Sequence, residues 1–246
     1  MPVITFIKPI LAGLLTLSLL AHAAPARAVD RANIEAFLDV TGFDVALDSI
    51  ALSASDAPGL LGMEPGDFGY EWTRVSREVF DTEKMRGMAI EILGHTLNED
   101  LLGHAAAFYA SPLGQKLVAV ENASHIDDDT SAKHDAGAAL VAEAEAQDAP
   151  RVAALRRLQL AVDNSGHAVR AVQEITVRFL MAASHAGMLG YEIDEQSLRA
   201  LVRSDEDVMR QEMLVSGTVH AAFTYRDIPT EELEAYADAL EHPKMQ

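Results

Sequence analysis

The chain contains no cysteine. That excludes a disulfide framework, thiol catalysis, a cysteine metal site and a lipid-modified N-terminal cysteine, and leaves core packing to hold the fold. Basic residues are scarce, with 19 Lys and Arg against 38 Asp and Glu and a net charge of −19. A balance of that sign argues against nucleic acid and against anionic lipid surfaces, both of which reward Lys and Arg. It permits basic partners and divalent cations, and it keeps a surface soluble. No stretch alternates strictly between apolar and polar residues, so little or no sheet is expected. Glycines stand singly, as helix stops, with no cluster that could cradle a phosphate. Serine-hydrolase elbows, zinc-protease helices and dinucleotide fingerprints are missing as well. No cofactor is expected.

The one conspicuous apolar run, from Ile10 to Leu20, is shorter than the roughly 20 residues of a membrane helix. Lys8 precedes it and Ala26-Arg27-Ala28 follows, the arrangement of a secretory leader with a small-residue cleavage site. Residues 1–28 are therefore read as a signal peptide cut after Ala28, leaving no stable membrane span. Lys8 and Arg27 are the only charged residues in it, so the mature chain from Val29 is two units more negative still.

What remains reads as helix. Asp30 to Thr41 carries Ile34, Phe37, Leu38 and Val40 and stops at Gly42. Asp44 can cap a second helix. Asp81-Thr82-Glu83 opens another, with Met85, Met88, Ala89, Ile92 and Leu93 as the expected buried stripe and Gly94 as the stop. Further stripes run through Val152, Leu155, Leu158 and Val162, and through Val169, Val172, Thr176, Phe179 and Leu180. Asp194 and Asp205 sit where helix caps belong. The expected fold is all-α, built from antiparallel helical hairpins or a bundle.

Leu97 to Val120 is the most informative stretch. Asn98 suits an N-cap, and Glu99 and Asp100 suit the positive end of a helix dipole. Leu97, Leu101, Ala105 and Phe108 share a face, with Leu102 and Tyr109 beside them. Ser111-Pro112 then ends one helix and begins the next. Phe108-Tyr109-x-Ser111-Pro112-x-Gly114-x-Lys116 resembles the signature corner of a family of bacterial exported helical proteins, a domain of unknown function. The resemblance covers about one helical hairpin. It implies an all-helical exported domain in the periplasm and carries no activity to transfer.

The expected organisation is a helical half over 29–120, an acidic, alanine-rich helical linker over 121–150, and a second helical half over 151–246. The end of the chain echoes the corner: Ile228-Pro229-Thr230-Glu231-Glu232-Leu233 begins a helix with Tyr236, Ala237 and Leu240 on one face, and Pro243 stands where Pro112 stood. This reads as a degenerate repeat of a helix–corner–helix unit.

Three groups of residues invite a chemical reading. His125, Asp128, Asp129 and His134 offer nitrogen and oxygen donors for zinc or copper, although a solvated charge run is the plainer reading. Leu60, Met63, Tyr70 and Trp72 could line a ligand pocket, although aromatics beside Pro-Gly punctuation more often anchor a core. Glu91 with His95, and Asp100 with His104, are acid–histidine pairs one helical turn apart, common on helix surfaces. In the corner itself, Lys116 is expected to reach solvent or an acid, and Gly114 to admit the Phe108 or Tyr109 ring or another helix. The leading functional reading is a non-catalytic interaction or structural module. A small-ligand or divalent-metal binder comes second and an enzyme of unrecognised type third. The partner is unknown; a periplasmic protein and a homo-oligomer are both compatible with the sequence.

Overall fold

The computed structural model describes residues 29–55, 74, 77–126, 129–163, 165–185, 187 and 192–246. Among them are eleven helices and no strand: α1 (Arg31–Thr41), α2 (Phe43–Ser55), α3 (Thr82–Thr96), α4 (Glu99–Tyr109), α5 (Pro112–Ile126), α6 (Thr130–Gln147), α7 (Ala149–Val162), α8 (His167–His185), α9 (Glu195–Ser204), α10 (Glu206–Thr224) and α11 (Thr230–Leu240). None is long and apolar enough to cross a membrane. Residues 1–28, read as a leader, and the Leu60, Met63, Tyr70 and Trp72 group lie outside the described residues.

Short polar residues set the helix starts. Asp30, Asp81, Asn98, Asp129, Asp148 and Asp194 each accept a backbone N–H of the first turn that has no partner within the helix. Gly42 ends α1 at φ +70, and its N–H turns back to the Leu38 and Asp39 carbonyls. That left-handed conformation strains any residue with a Cβ, which here would also strike the Asn122 side chain.

The helices close around two clusters. In the first, Val29, Ile34, Leu38, Ile90 and Leu102 are buried, with Phe37, Phe43, Leu93 and Leu97 packed on them. This cluster joins α1, α3 and α4, with α2 and α5 alongside. The second is larger. Leu117 of α5, Leu155 and Leu158 of α7, Ala221 and Ala222 of α10, and Leu233, Tyr236 and Ala237 of α11 meet there. Leu117, Leu155 and Leu233 are fully buried, each stabilising the fold by about 2 kcal/mol. Helices α8 and α9 pair with each other and rest on α10.

Two expectations need correction. Helix α3 runs through Gly94 to Thr96, with Leu97 as its C-cap. Its buried residue is Ile90, whereas Met88 and Ile92 are 54% and 60% exposed. Both sets of residues satisfy helical spacing, and the position of α1 decides which set faces inward. Likewise Val162 and Val172 of the expected stripes are exposed.

The stretch read as a linker packs tightly. Helix α6 lies along α10 and against α7. At Gly137 an added Cβ would run into the Val219 carbonyl, and Ala144 is buried nearby. The shortage of large side chains is what lets these two helices approach: small residues bring the backbones close, so packing does not require bulky apolar groups.

Candidate functional site

The corner between α4 and α5 is built from local interactions. The Ser111 hydroxyl accepts the Gly114 N–H at 3.1 Å, and the Ser111 carbonyl accepts the Gln115 N–H at 2.9 Å. Pro112 occupies the first position of α5, where its missing N–H costs nothing. Gly114 is buried against backbone: a Cβ would collide with the Phe108 carbonyl and lie 2.6 Å from the Tyr109 Cα. The close neighbour is thus the backbone at the last turn of α4, so of the two expected neighbours it is another helix and not a ring that Gly114 admits. Gln115 Nε2 donates to the Tyr109 carbonyl at 2.8 Å and the Val40 carbonyl at 3.3 Å, closing the ends of α4 and α1 together.

The corner also reaches the end of the chain. Lys116 Nζ meets Glu232 of α11 at 2.6 Å, and Lys244 meets Asp100 of α4 at 2.7 Å. Each basic residue follows one corner and binds the acidic first turn belonging to the other. The His104 and His242 rings stack at 4.3 Å, and Phe108 stacks on Tyr236 at 5.6 Å with 11° between planes.

Beneath these contacts lies a polar knot with no advance signal in the sequence. Glu121 of α5 accepts the Tyr225 hydroxyl at 2.7 Å and the Tyr236 hydroxyl at 3.2 Å. Burial pushes both phenols well above their usual range, and the Glu121 carboxylate adds to it. Tyr109 is raised by burial too, although the Tyr236 hydroxyl works against the shift. Phenols held so firmly protonated are hydrogen-bond donors and are unsuited to serve as bases. Beside them, Arg151 of α7 donates to the carbonyls of Tyr225 at 2.6 Å, Arg226 at 3.4 Å and Ile228 at 2.7 Å, and Asp148 accepts the Thr230 hydroxyl at 2.7 Å.

The metal-ligand candidates do not converge among the described residues. Asp129 is occupied as the cap of α6, accepting the Ala132 N–H at 2.9 Å. The His134 ring lies edge-on to His220 at 6.0 Å, and His125 is exposed at the end of α5. Asp128 lies outside the described residues. No group of three or more His, Asp or Glu among the described residues could hold a metal ion. Asp100 and His104, paired in the sequence, face different partners, Lys244 and His242.

Two cavities are of interest. The first, about 280 Å³, is an apolar groove between α1 and α4 lined by Ala36, Phe37, Val40, Leu102, Gly103 and Ala106, with Asn33 and Glu99 at its rim. The second, about 240 Å³, lies between α8 and α9 and is lined mainly by charged side chains.

Residues 83–143 match the model of a family described as an uncharacterized protein conserved in bacteria (DUF2059). The match runs from α3 through the corner and most of α6, well under half of the chain. It agrees with the resemblance to a bacterial family of unknown function. No curated protein and no solved structure matches the chain.

Proposed function

We propose that this chain is an exported, non-catalytic helical module that receives a partner protein in the groove between α1 and α4. The observation that carries this reading is the groove itself: an open, largely apolar trough on the surface of a strongly acidic chain. Ala36, Gly103 and Ala106 keep it shallow enough for an incoming side chain to reach Phe37 and Leu102, and apolar surface of this kind is characteristic of association sites. The corner residues support a structural role for the motif. Ser111, Gly114 and Lys116 are each engaged with the chain itself, leaving none of them aimed at a substrate.

Export rests on the leader, with its apolar run and Ala26-Arg27-Ala28 end, and the periplasm on the family resemblance. Val29, the first residue after the cleavage point, is buried in the first cluster. On this reading processing leaves a terminus that is already part of the core. The crossed Lys116–Glu232 and Lys244–Asp100 pairs favour a degenerate duplication of the helix–corner unit.

The test is site-specific photo-crosslinking in a bacterial periplasm. A crosslinker replacing Ala106 should give a protein adduct of defined mass, and one replacing the exposed Glu234 should not. Gly103→Trp, which fills the groove, should abolish the adduct. No adduct at Ala106, or one indifferent to Gly103→Trp, removes the groove from consideration. N-terminal sequencing of the same product should begin at Val29; a retained leader would refute processing.

A further inference from the structure

The cavity between α8 and α9 stands out against the charge of the chain around it. With twice as many acids as bases, an arginine readily finds a carboxylate. Arg86 binds Asp39 and Asp44, Arg157 binds Asp238 and Glu241, and Arg156 binds Glu145. Two arginines that have no carboxylate partner among the described residues line this one cavity. The Arg170 guanidinium donates only to the Ser165 carbonyl, at 2.7 Å. The Arg203 guanidinium lines the cavity and has no hydrogen bond or ion pair among the described residues. From this juxtaposition we propose that the cavity binds a small oxyanion, a carboxylate- or phosphate-bearing molecule, between the Arg170 and Arg203 guanidinium groups.

The acids on the cavity wall do not oppose this. Glu174 is shared by Arg199 at 2.6 Å and Arg178 at 2.7 Å, and these two guanidinium groups hold its carboxyl at about 2, well below the usual range. Glu206 is paired with Arg210 at 2.8 Å. Both carboxylates therefore already carry a cation, while the charges of Arg170 and Arg203 are left uncompensated. Arg199, also bound to Glu195 at 2.7 Å, is compensated by its two carboxylates and held in place beside the cavity.

The floor is equally well organised. Gln173 is buried, and its Nε2 donates to the Val202 carbonyl at 3.0 Å. That bond occupies an acceptor near the C-terminal end of α9 that would otherwise face an anion. Val177 and Val202 add apolar surface. A volume of about 240 Å³ suits a small anion with a short carbon skeleton and is too small for a nucleotide. Guanidinium groups match the planar geometry of carboxylate and phosphate oxygens, often through two parallel hydrogen bonds. The acids elsewhere on the chain repel an anion weakly, because physiological salt screens charge beyond about 8 Å.

The site is separate from the α1/α4 groove, so its failure would not touch the partner reading. The test is calorimetric titration of the full mature chain with succinate and, separately, with inorganic phosphate, at low and physiological salt. Saturable binding of either should occur, with the affinity falling at least tenfold in Arg203→Gln and in Arg170→Gln. Arg31→Gln, on the far helix α1, should bind like the unaltered chain. Succinate without phosphate would assign a carboxylate ligand, and the converse a phosphate ligand. Circular dichroism of each variant should match the parent; if Arg170→Gln loses its fold, Arg203→Gln alone decides. No saturable binding of either anion, or binding unchanged in Arg203→Gln, overturns the site.

Discussion

The two corner helices, α4 and α11, begin with similar sequences and are held in different ways. Helix α4 is capped by Asn98, whose side chain accepts the Asp100 and Leu101 N–H groups at 3.0 Å. It ends in Ser111-Pro112, with the next cap supplied two residues beyond its last turn. Its terminal hydrogen bonds come from neighbours in the chain. Helix α11 follows Pro229, which has no side chain to cap with. Its entry is fixed from outside by Arg151, which gathers three carbonyls of the turn before it, and by Asp148, which holds Thr230. Its exit is closed by Gln246, whose amide donates to the Leu240 and Ala161 carbonyls. One corner is capped by its own residues and the other is supported from α7. A helix end can thus be stabilised by local caps or by a distant arginine, because an orphan carbonyl needs only a donor and its position in the sequence is immaterial.

The sharpest way to break the local corner is Gly114→Leu. In an open helix, replacing glycine is favourable by about 1 kcal/mol. Here the sign reverses, because the new side chain meets the backbone of Phe108 and Tyr109, and a loss of about 3 kcal/mol or more is expected. Urea unfolding measures it, and a neutral or stabilised variant would show that the close approach is not needed. The corresponding break in the supported corner is Arg151→Met, which keeps the aliphatic stem and removes the donors. Leaving the Ile228 carbonyl unpaired, and the Tyr225 carbonyl with the Ile228 N–H alone, should cost about 2 kcal/mol. The two losses should nearly add in the double variant, since the backbone hydrogen bonds of the two corners are made by different residues.

The next prediction concerns pH. Tyr225 and Tyr236 are raised in the folded chain, so above the ordinary tyrosine value near 10 the unfolded chain ionises first. Their stabilising contribution is complete below that value and is lost as pH climbs from it toward the folded values, at about 1.4 kcal/mol per pH unit for each phenol. Thermal melts should therefore fall steeply above pH about 10, with the tyrosinate absorbance of these two phenols appearing only on unfolding. Tyr225→Phe combined with Tyr236→Phe should flatten that fall; titration of both phenols in a chain that stays folded would contradict the burial. The smallest effect is expected for the crossed pairs. Lys116→Ala should cost less than about 1 kcal/mol, because the pair with Glu232 is partly exposed and screened by salt. A loss that is larger, or that is insensitive to salt, would mean that the link between the corners matters more than its exposure suggests.

Most cap residues were legible because capping is a local act, although Asp44 lies inside α2 and Asp205 makes no side-chain cap bond. Asp30, Asp81, Asn98, Asp194 and the Ser111-Pro112 corner all work within three residues of themselves. The phase of α3 was not legible, because Met88 and Ile92 obey the same periodicity as Ile90 and only α1 distinguishes them. Nor was the packing of α6, where Gly137 and Ala144 look like solvated helix until α10 is laid against them. Of the candidate sites, the corner residues come together, while Asp129 and His134 take up separate duties. Glu121, Arg151, Arg170 and Arg203 carried no local mark, since each matters through a residue or cavity formed elsewhere.

By itself, then, the amino-acid order determined the helical class, most of the helix beginnings and the hinge at Ser111-Pro112, because these depend on spacing and on hydrogen bonds closed within a turn. Only the tertiary structure decided which stripes are buried, how the end of the chain is stapled to the first corner, and where two arginines are left facing a cavity. Those outcomes depend on what lies on the other side of each helix, and side chains of the same type and spacing have opposite fates according to whether a neighbouring helix or water is there.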